Sequence, residues 1–272
     1  MPELPEVEVI ARGLNATLPG RTVVSVDHVD LTRLSEPAET LLPKVTGRKI
    51  RRVYRRAKVL LVEMNDDLTL VFHLKMTGRV VHGPRREPEK HDRIFLRLDD
   101  DSLLSFADVR KFGFVKGMTA DELKAWSFLA KCGPEPLETS PEVLADRLRR
   151  RKSAVKGVLL NQSVVVGVGN IYADESLFRA GIHPETRADM VSQKRAVFLF
   201  SELQAVLKQA IAENGSSIRD YVNADGDAGA FQNNFNVYGK VNEQCAQCQT
   251  TLKSVKVSGR TSTFCPKCQT KR

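Results

Sequence analysis

The chain begins with a helical pattern of apolar positions. Five residues carry this pattern: Val7, Ile10, Ala11, Leu14 and Leu18. Their spacing predicts an amphipathic helix, and Pro19-Gly20 predicts its end. The helix would start almost at the terminus, so the positive end of its dipole would face Pro2 and Glu3.

Between residues 21 and about 118 the pattern changes to short apolar runs that are typical of strands. The clearest runs are residues 23–26, 59–62, 68–72, 94–98 and 103–106. Residues 99–101 are consecutive aspartates and predict a turn between the last two runs. Six or more short strands with one helix predict a β-sandwich or a β-barrel. We therefore expect an α+β protein with an N-terminal β-sandwich and a flanking helix.

The second half of the chain has a helical pattern. Residues 119–122 form a capping box that predicts a helix start. Residues 133–136, Gly-Pro-Glu-Pro, predict a linker with a domain boundary near residue 132. Further helix starts are expected at Ser140, Ser153, Asn170 and Ser192. Residues 222–236 are rich in Gly, Asn and Asp, which predicts a mobile loop with few anchors.

Composition and charge limit the possible functions. The 272 residues allow two domains with substantial cores, and no apolar run approaches the length of a membrane span. No leader segment is recognisable, so we expect a cytoplasmic protein. The formal charge is +9, and residues 240–272 hold seven Lys and Arg side chains against Glu243 alone. This concentration of positive charge indicates a polyanionic partner such as nucleic acid.

Two cysteine pairs near the C-terminus predict a metal site. Cys245-x-x-Cys248 and Cys265-x-x-Cys268 are separated by 16 residues, which matches the spacing of four-cysteine zinc sites. Disulfides are the alternative, but the expected cytoplasmic location argues against them. Because cysteine fills all four positions, no position is left for water, and the zinc would be structural. Cys132 would remain a free thiol.

The N-terminal residues carry a candidate nucleophile. Once Met1 is removed, Pro2 presents a secondary α-amine next to the carboxylate of Glu3. An α-amine titrates near about 8 and a lysine near about 10.4, so far more of the terminal amine is neutral at pH 7. Its attack on a sugar carbon gives an iminium that makes elimination of neighbouring phosphates feasible, and Glu3 could protonate the departing group. A frayed terminus that leads into a helix is the alternative.

Several residues in the predicted strand region could contact nucleic acid. Lys58 precedes an apolar run that would hold it against the sheet. Met76 lies at a predicted turn, where it would be either core filler or a wedge between base pairs. Arg110 and Phe112 would occupy alternate positions on one strand face, either with the same function as Met76 or as an exposed cross-strand pair.

Separate motifs along the chain together resemble one family. They are residues 2–8 (PELPEVE), 56–58 (RAK), 90–92 (KHD), 108–113 (DVRKFG), 133–137 (GPEPL), 166–172 (VGVGNIY) and the terminal four-cysteine ribbon. From end to end, the chain resembles the bacterial formamidopyrimidine-DNA glycosylases. The resemblance implies an enzyme that flips oxidised purines, such as 8-oxoguanine and formamidopyrimidines, out of duplex DNA. It would then remove the base and cut the strand by successive β- and δ-elimination.

The resemblance also implies roles for individual catalytic residues. Pro2 would be the Schiff-base nucleophile, and Glu3 the general acid or base at the sugar. Lys58 would be a proton donor and phosphate contact in β-elimination. Arg260 would bind a phosphate and assist the δ step.

Further residues are implied to bind DNA or metal. Met76, Arg110 and Phe112 would fill the vacated stack and probe the orphaned base. The implied backbone contacts are His91, Lys152, Lys156, Asn170 and Tyr238. The implied ligands of one structural Zn²⁺ are Cys245, Cys248, Cys265 and Cys268.

The resemblance implies three domains. Residues 1–132 would be the catalytic β-sandwich, residues 133–236 a helix-two-turns-helix DNA-binding domain with a loop that covers the lesion, and residues 237–272 a zinc-finger β-hairpin. The partner would be damaged double-stranded DNA, without a membrane contact, and we expect a monomer.

Two alternative functions remain on sequence alone. An endonuclease VIII-like relative would act on oxidised pyrimidines, but such proteins normally start Pro-Glu-Gly-Pro, and Leu4 argues against this alternative. A zinc-ribbon protein that binds DNA without catalysis would need no free proline amine. It would leave a lesion-bearing strand intact, so incubation with an 8-oxoguanine duplex would separate these functions.

Overall fold

The computed structural model describes residues 1–218 and 221–271. Arg219 and Asp220, in the predicted helical domain, and Arg272, in the predicted finger, lie outside the described residues. The chain forms two units. They are Met1–Ala130 with Glu213–Gln232, and Lys131–Ala212 with Asn233–Arg272. The segment 213–232 thus packs with the N-terminal unit, although it lies within the predicted range of the helical domain.

In the described part of the N-terminal unit, eight strands form two antiparallel sheets. The strands are β1 (Val23–Val29), β2 (Ile50–Arg56), β3 (Val59–Met64), β4 (Thr69–His73), β5 (Gly78–Gly83), β6 (Asp92–Leu98), β7 (Leu103–Asp108) and β8 (Phe114–Met118). One sheet has the order β1-β6-β7-β5, and the other has the order β2-β3-β4-β8. The prediction of an N-terminal β-sandwich is confirmed.

The core of this unit lies between the two sheets and is closed by the first helix. Apolar side chains of both sheets belong to one buried cluster. Within it, the rings of Phe72 on β4 and Phe106 on β7 meet edge to face, with centroids 5.7 Å apart. The helix α1 (Leu4–Thr17) contributes fully buried side chains: Val7, Ile10 and Leu14. The predicted amphipathic face is therefore the face that α1 buries.

Short helices complete the N-terminal unit. The helix α2 (Ala38–Val45), which was not predicted, connects β1 to β2 and buries Leu41 and Val45. The helices α3 (Ala120–Ala125) and α4 (Ser127–Ala130) follow β8. Thr119 caps α3 through the predicted capping box.

The second unit is helical with a terminal hairpin, as predicted. Its helices are α5 (Pro141–Arg149), α6 (Val155–Leu160), α7 (Asn170–Arg179) and α8 (Gln193–Ala212). Its strands are β9 (Lys253–Val257) and β10 (Arg260–Phe264). Ser258 and Gly259 form the two-residue turn of this hairpin with φ values of 50° and 75°. Positive φ at both positions is what a tight type I′ hairpin turn requires.

The loop 222–236 is more strongly anchored than predicted. The side-chain oxygen of Asn223 accepts the backbone N–H groups of Asp225 and Asp227, at 3.0 and 2.8 Å. Phe231 is fully buried. The prediction of few anchors is therefore wrong, because local side-chain-to-backbone bonds, one buried ring and a short 3-10 helix over Phe231–Asn234 hold the loop.

Candidate active site and nucleic-acid interface

The start of α1 holds two of the predicted catalytic residues. Glu3 is the N-cap, and its backbone N–H donates to Glu6 Oε2 at 2.7 Å. The Glu3 side chain accepts the backbone N–H of Glu6, which completes a capping box. Pro2 is buried, and Glu3 is only 3% exposed. The first residues thus form an ordered, buried helix start and not a frayed terminus.

The helix α1 points its start toward the turn that carries Lys58. Asn15 Oδ1 accepts the backbone N–H of Val53 at 2.7 Å, and Glu8 pairs with Arg55 at 2.7 Å. Positions closer to the N-terminus of α1 therefore lie beside positions closer to the C-terminal end of β2. The turn with Lys58 directly follows β2, so the predicted nucleophile and this lysine lie at the same end of the sheet.

Lys58 is held in the tight turn between β2 and β3. Ala57 before it has a φ of 54°, and Lys58 itself is only 7% exposed. Val59 pairs with His73 of β4, so His73 lies close to the turn. Burial, together with the charges of Lys75 and Lys58, lowers the pKa of His73 to about 3. His73 is therefore neutral at pH 7 and adds no positive charge beside Lys58.

Met76, Arg110 and Phe112 meet at the ends of two loops of the sandwich. Met76 lies in the β4–β5 turn and is 39% exposed, and Phe112 in the β7–β8 loop is 46% exposed. Arg110 Nη1 donates to Met76 Sδ at 3.0 Å. The Arg110 guanidinium lies over the Phe112 ring, 4.9 Å from its centroid. Met76 is thus a surface residue and not core filler, and we call these three side chains the loop tip.

Arg110 and Phe112 lie in a loop and not on a strand face, so that prediction is wrong. The Asp108 carboxylate accepts the backbone N–H groups of Arg110 and Gly113, which replaces strand pairing beyond Asp108. Lys111 has a φ of 57°, which reverses the chain between the two residues. This turn, and not strand alternation, places the guanidinium over the ring.

Two predicted backbone contacts lie outside the loop tip. His91 is half-buried directly before β6, and its carbonyl accepts the backbone N–H of Asp108 at 2.9 Å. Lys152 is exposed between α5 and α6. Both positions leave side-chain atoms accessible to a ligand.

The four predicted zinc ligands converge at the base of the β9–β10 hairpin. The sulfur atoms of Cys245, Cys248, Cys265 and Cys268 all lie within 4.8 Å of one another. Three sulfur pairs are 3.5, 3.5 and 3.9 Å apart. Tetrahedral zinc with bonds of about 2.3 Å separates its sulfurs by about 3.8 Å. The cluster therefore fits one structural zinc ion, and no ligand position remains for catalysis.

Lys156 and Asn170 bond to the finger strand that begins with Arg260. Lys156 Nζ and Asn170 Nδ2 both donate to the Thr261 carbonyl at 3.1 Å. Lys156 is fully buried and pairs with Asp174 at 2.7 Å. This placement does not support a direct phosphate contact by the Lys156 ammonium, and its DNA-binding role stays a prediction.

Asp174 continues the same network. Its carboxylate accepts the Ser262 hydroxyl at 2.5 Å and the Thr263 backbone N–H at 3.2 Å. Residues 261–263 are thus bonded one after another to α6 and α7. We call Lys156, Asn170 and Asp174 the finger anchor. It fixes the strand direction from which the exposed Arg260 side chain projects.

Glu175 performs a similar task for Tyr238. The buried Glu175 carboxylate accepts the backbone N–H groups of Asn236, Val237 and Tyr238 at 2.9–3.0 Å. Sequence reasoning missed Asp174, Glu175 and Asp108. For Asp174 and Glu175 the available signal was two adjacent acids inside the apolar pattern of a predicted helix, where a charge must find partners. Asp108 offered no such signal, because it ends a strand.

The structure brings the predicted site residues together in separate groups. In the N-terminal unit, Pro2 and Glu3 lie at the same end of the sheet as Lys58, and Arg110 and Phe112 of the loop tip follow the strand that bonds to His91. The second unit holds Arg260, the finger anchor, Tyr238 and the cysteine cluster. Across the described residues, no helix combines the length and apolar character that crossing a bilayer requires.

The family models place this chain in a class of DNA glycosylases that carry a zinc finger. Residues 1–115 match the formamidopyrimidine-DNA glycosylase N-terminal domain, residues 132–222 its H2TH domain, and residues 242–271 the zinc finger found in FPG and IleRS. A formamidopyrimidine-DNA glycosylase of Bacillus subtilis is 41% identical over the whole of both chains. One from Nitratidesulfovibrio vulgaris is 52% identical over 75% of this chain, a match that spans 57% of that protein.

Solved structures agree with these relatives. A Lactococcus lactis FPG variant in complex with Fapy-dG-containing DNA superposes with a TM-score of 0.92 at 36% identity, covering 99% of this chain and 100% of that one. The L. lactis Fpg in complex with abasic-site DNA gives 0.91 at 36% identity with the same coverage. This chain belongs to the formamidopyrimidine-DNA glycosylase family.

Removing the buried Asp174 carboxylate from the finger anchor should strongly lower the stability of the protein. Asp174→Ala would remove the carboxylate that pairs with the buried Lys156 ammonium, and breaking a buried ion pair in this way typically costs about 3–5 kcal/mol. We expect a lower urea midpoint and faster zinc release to a chelator. Asp189→Ala removes an exposed pair with Arg187 and serves as control. Equal behaviour of the two variants would contradict the anchoring role of Asp174.

The depressed pKa of His73 predicts a pH dependence of stability. Below about pH 6.5 the unfolded chain binds a proton at this residue, whereas folded His73 stays neutral until about pH 3. Stability is therefore lost progressively as the pH falls through that window. His73→Asn keeps an acceptor for the Lys75 backbone N–H, which His73 Nδ1 accepts at 3.1 Å. Urea titrations should show wild type losing about 2 kcal/mol more than this variant between pH 6.5 and 5. Parallel losses would refute the assignment.

Proposed function

We propose that this chain excises oxidised purines, such as 8-oxoguanine and formamidopyrimidines, from duplex DNA and then cuts the strand. It is a DNA glycosylase by family, and members of the family also act as lyases at abasic sites. The observation that carries the residue-level proposal is the buried start of α1, which points Pro2 and Glu3 toward the end of the sheet where Lys58 lies.

Pro2 supplies the nucleophile once Met1 has been removed. Its secondary amine attacks the sugar carbon that bears the damaged base, and the base leaves as the carbon–nitrogen bond breaks. Glu3 exchanges the proton at this centre. The bond from the same carbon to the ring oxygen then breaks, the oxygen takes up a proton, and the opened sugar is held as the iminium. The iminium makes the neighbouring carbon acidic, so that carbon loses a proton as the 3′ phosphate leaves by β-elimination, and a second elimination along the conjugated chain releases the 5′ phosphate.

Two cations accompany the elimination steps. Lys58, held in its tight turn, donates a proton and contacts a phosphate during β-elimination. Arg260, exposed at the start of β10, binds a phosphate and assists the δ step. The finger anchor orients β10, and the zinc site holds the base of the same hairpin. The zinc therefore supports this arginine without taking part in the chemistry.

The remaining site residues bind the duplex. The loop tip of Met76, Arg110 and Phe112 enters the stack that the flipped base vacates. His91, Lys152, Asn170 and Tyr238 contact the DNA backbone, and Lys156 contributes by holding the strand that follows Arg260.

We also propose the wider organisation. Residues 1–132 form the catalytic domain, residues 133–236 the DNA-binding domain with its lesion-covering loop, and residues 237–272 the zinc finger. The protein acts as a monomer in the cytoplasm, associated with the nucleoid through DNA.

Borohydride trapping tests the nucleophile. The iminium at Pro2 is reducible to a stable amine, so wild type should form a covalent complex with an 8-oxoguanine duplex that survives denaturing gels. Pro2→Gly replaces the secondary amine by a primary amine on a more mobile backbone and should weaken trapping severely. Trapping that is undiminished in Pro2→Gly would transfer the nucleophile to another amine, with Lys58 the first to test.

Salt dependence tests the role of Arg260. Arg260→Ala should keep its zinc and lower the affinity for every DNA sequence, because a phosphate contact carries no base information. The slope of log affinity against log salt should fall by roughly 1. Lys271→Ala removes a finger cation that pairs with Glu185 and should leave the slope unaltered. A selective loss of oxidised-purine substrates in Arg260→Ala would show that this arginine does more than bind phosphate.

A further inference from the structure

We propose that Asp108 is a positioning residue for lesion extrusion, because its carboxylate holds together the two loops that carry the loop tip. This inference rests on the proposed function, in which Met76, Arg110 and Phe112 enter the base stack. It assigns a task to a buried acid that does not touch the DNA or the reacting atoms itself.

The Asp108 carboxylate bonds to both loops at once. Its Oδ1 accepts the Thr77 hydroxyl, from the β4–β5 turn, at 2.5 Å. The same oxygen accepts the Arg110 backbone N–H at 3.2 Å, and Oδ2 accepts the Gly113 backbone N–H at 2.7 Å, both from the β7–β8 loop. Thr77 Oγ1 also accepts the Arg110 N–H at 3.0 Å. One carboxylate thus connects the residue after Met76 to the residues on both sides of Phe112.

The backbone of Asp108 is itself fixed. Its N–H donates to the His91 carbonyl at 2.9 Å. Its carbonyl accepts two bonds from Arg93, from Nε at 3.1 Å and from Nη2 at 2.9 Å. Arg93 is 1% exposed and also pairs with Asp30. Because Asp108 is buried and held from this side, its carboxylate is a rigid reference point for the loops.

Other contacts hold the ends of the loops, among them the Lys111 pair with Asp30 at 3.3 Å and the Thr32 hydroxyl bond to the Gly113 carbonyl at 3.4 Å, but the Asp108 carboxylate is bonded to both loops. Met76 and Phe112 are exposed, so burial in a core does not set their positions. Lys111 has a φ of 57°, a conformation that is unfavourable for a side-chain-bearing residue and persists only where surrounding bonds maintain it. A Cβ on Gly113 would lie 2.9 Å from the His73 carbonyl and 3.1 Å from Asp108 Oδ2. The loop therefore closes directly onto the carboxylate.

Preorganisation explains why this arrangement serves extrusion. Inserting side chains into a base stack must offset the loss of stacking, and a tip that is ordered beforehand loses less freedom on insertion. At a preformed abasic site the base is already missing, so insertion of the loop tip has less loss of stacking to offset. Loss of an ordered tip should therefore slow the reaction on a lesion-bearing duplex more than on an abasic duplex, although both substrates share the later chemistry.

Asp108→Asn is the central variant. It keeps size and one acceptor oxygen, but its amide group can no longer accept the second loop bond. We expect 8-oxoguanine excision under single turnover to slow by about tenfold or more, since a buried hydrogen bond to a charged group is lost. Extrusion, followed by a fluorescent base analogue beside the lesion, should slow in parallel. Cleavage of an abasic duplex should stay within about twofold of wild type. Asp121→Asn, an exposed acid on α3, is the matched control.

Thr77 provides a second test that leaves Asp108 in place. Thr77→Ser keeps the hydroxyl and should behave as wild type, whereas Thr77→Val removes it and should slow extrusion selectively. In a Met76→Ala background, Asp108→Asn should add less than about twofold, because both changes act through the same tip. Thr77→Val also decides the question if Asp108→Asn does not fold.

The outcomes separate this inference from the proposed function. Wild type that leaves 8-oxoguanine duplexes intact would reject the proposed function. Active wild type with equal losses on lesion and abasic substrates in Asp108→Asn and Thr77→Val would reject the positioning role of Asp108. Fully multiplicative effects of Asp108→Asn and Met76→Ala would reject it as well.

Discussion

The N-terminal unit depends on the hydrogen bonds that the buried carboxylate of Glu6 accepts. One of its oxygens accepts the Glu3 backbone N–H at 2.7 Å, and the other accepts the Ser216 backbone N–H at 3.0 Å. Glu6 is 2% exposed, so leaving either oxygen without a donor would be costly. This one side chain connects the helix start that presents Pro2 to the segment 213–232, which is more than two hundred residues away in sequence.

The same solution recurs wherever a functional segment is irregular. Asp108 holds the loops of the tip, Asp174 holds the finger strand, and Glu175 holds the backbone at Tyr238. Each acid is buried and accepts backbone N–H groups that no helix or sheet partner satisfies. In a chain with a net charge of +9, cations such as Arg110 and Arg260 are exposed, whereas the anions that order the segments around them are buried.

Local patterns predicted much of the fold because they depend on neighbouring residues only. The apolar spacing of α1, the capping box at Thr119 and the short apolar runs of the sandwich were sufficient to predict those elements. The short α2 escaped because its apolar positions are few, and Pro43 lies inside it. The loop 222–236 looked unanchored because its Asn223 bonds and the burial of Phe231 are invisible in composition.

The sequence by itself determined the zinc ligands, the family and the identity of the candidate nucleophile, because cysteine spacing and terminal motifs are written in adjacent residues. Only the tertiary structure decided that the Lys156 ammonium is buried against Asp174, and that a loop and not a strand carries Arg110. The physical reason lies in contacts between distant parts of the chain, because Lys156 bonds to the finger strand and the Arg110 backbone bonds to Thr77. Whether a charged side chain faces water or a buried partner depends on groups that the fold brings together from distant parts of the chain.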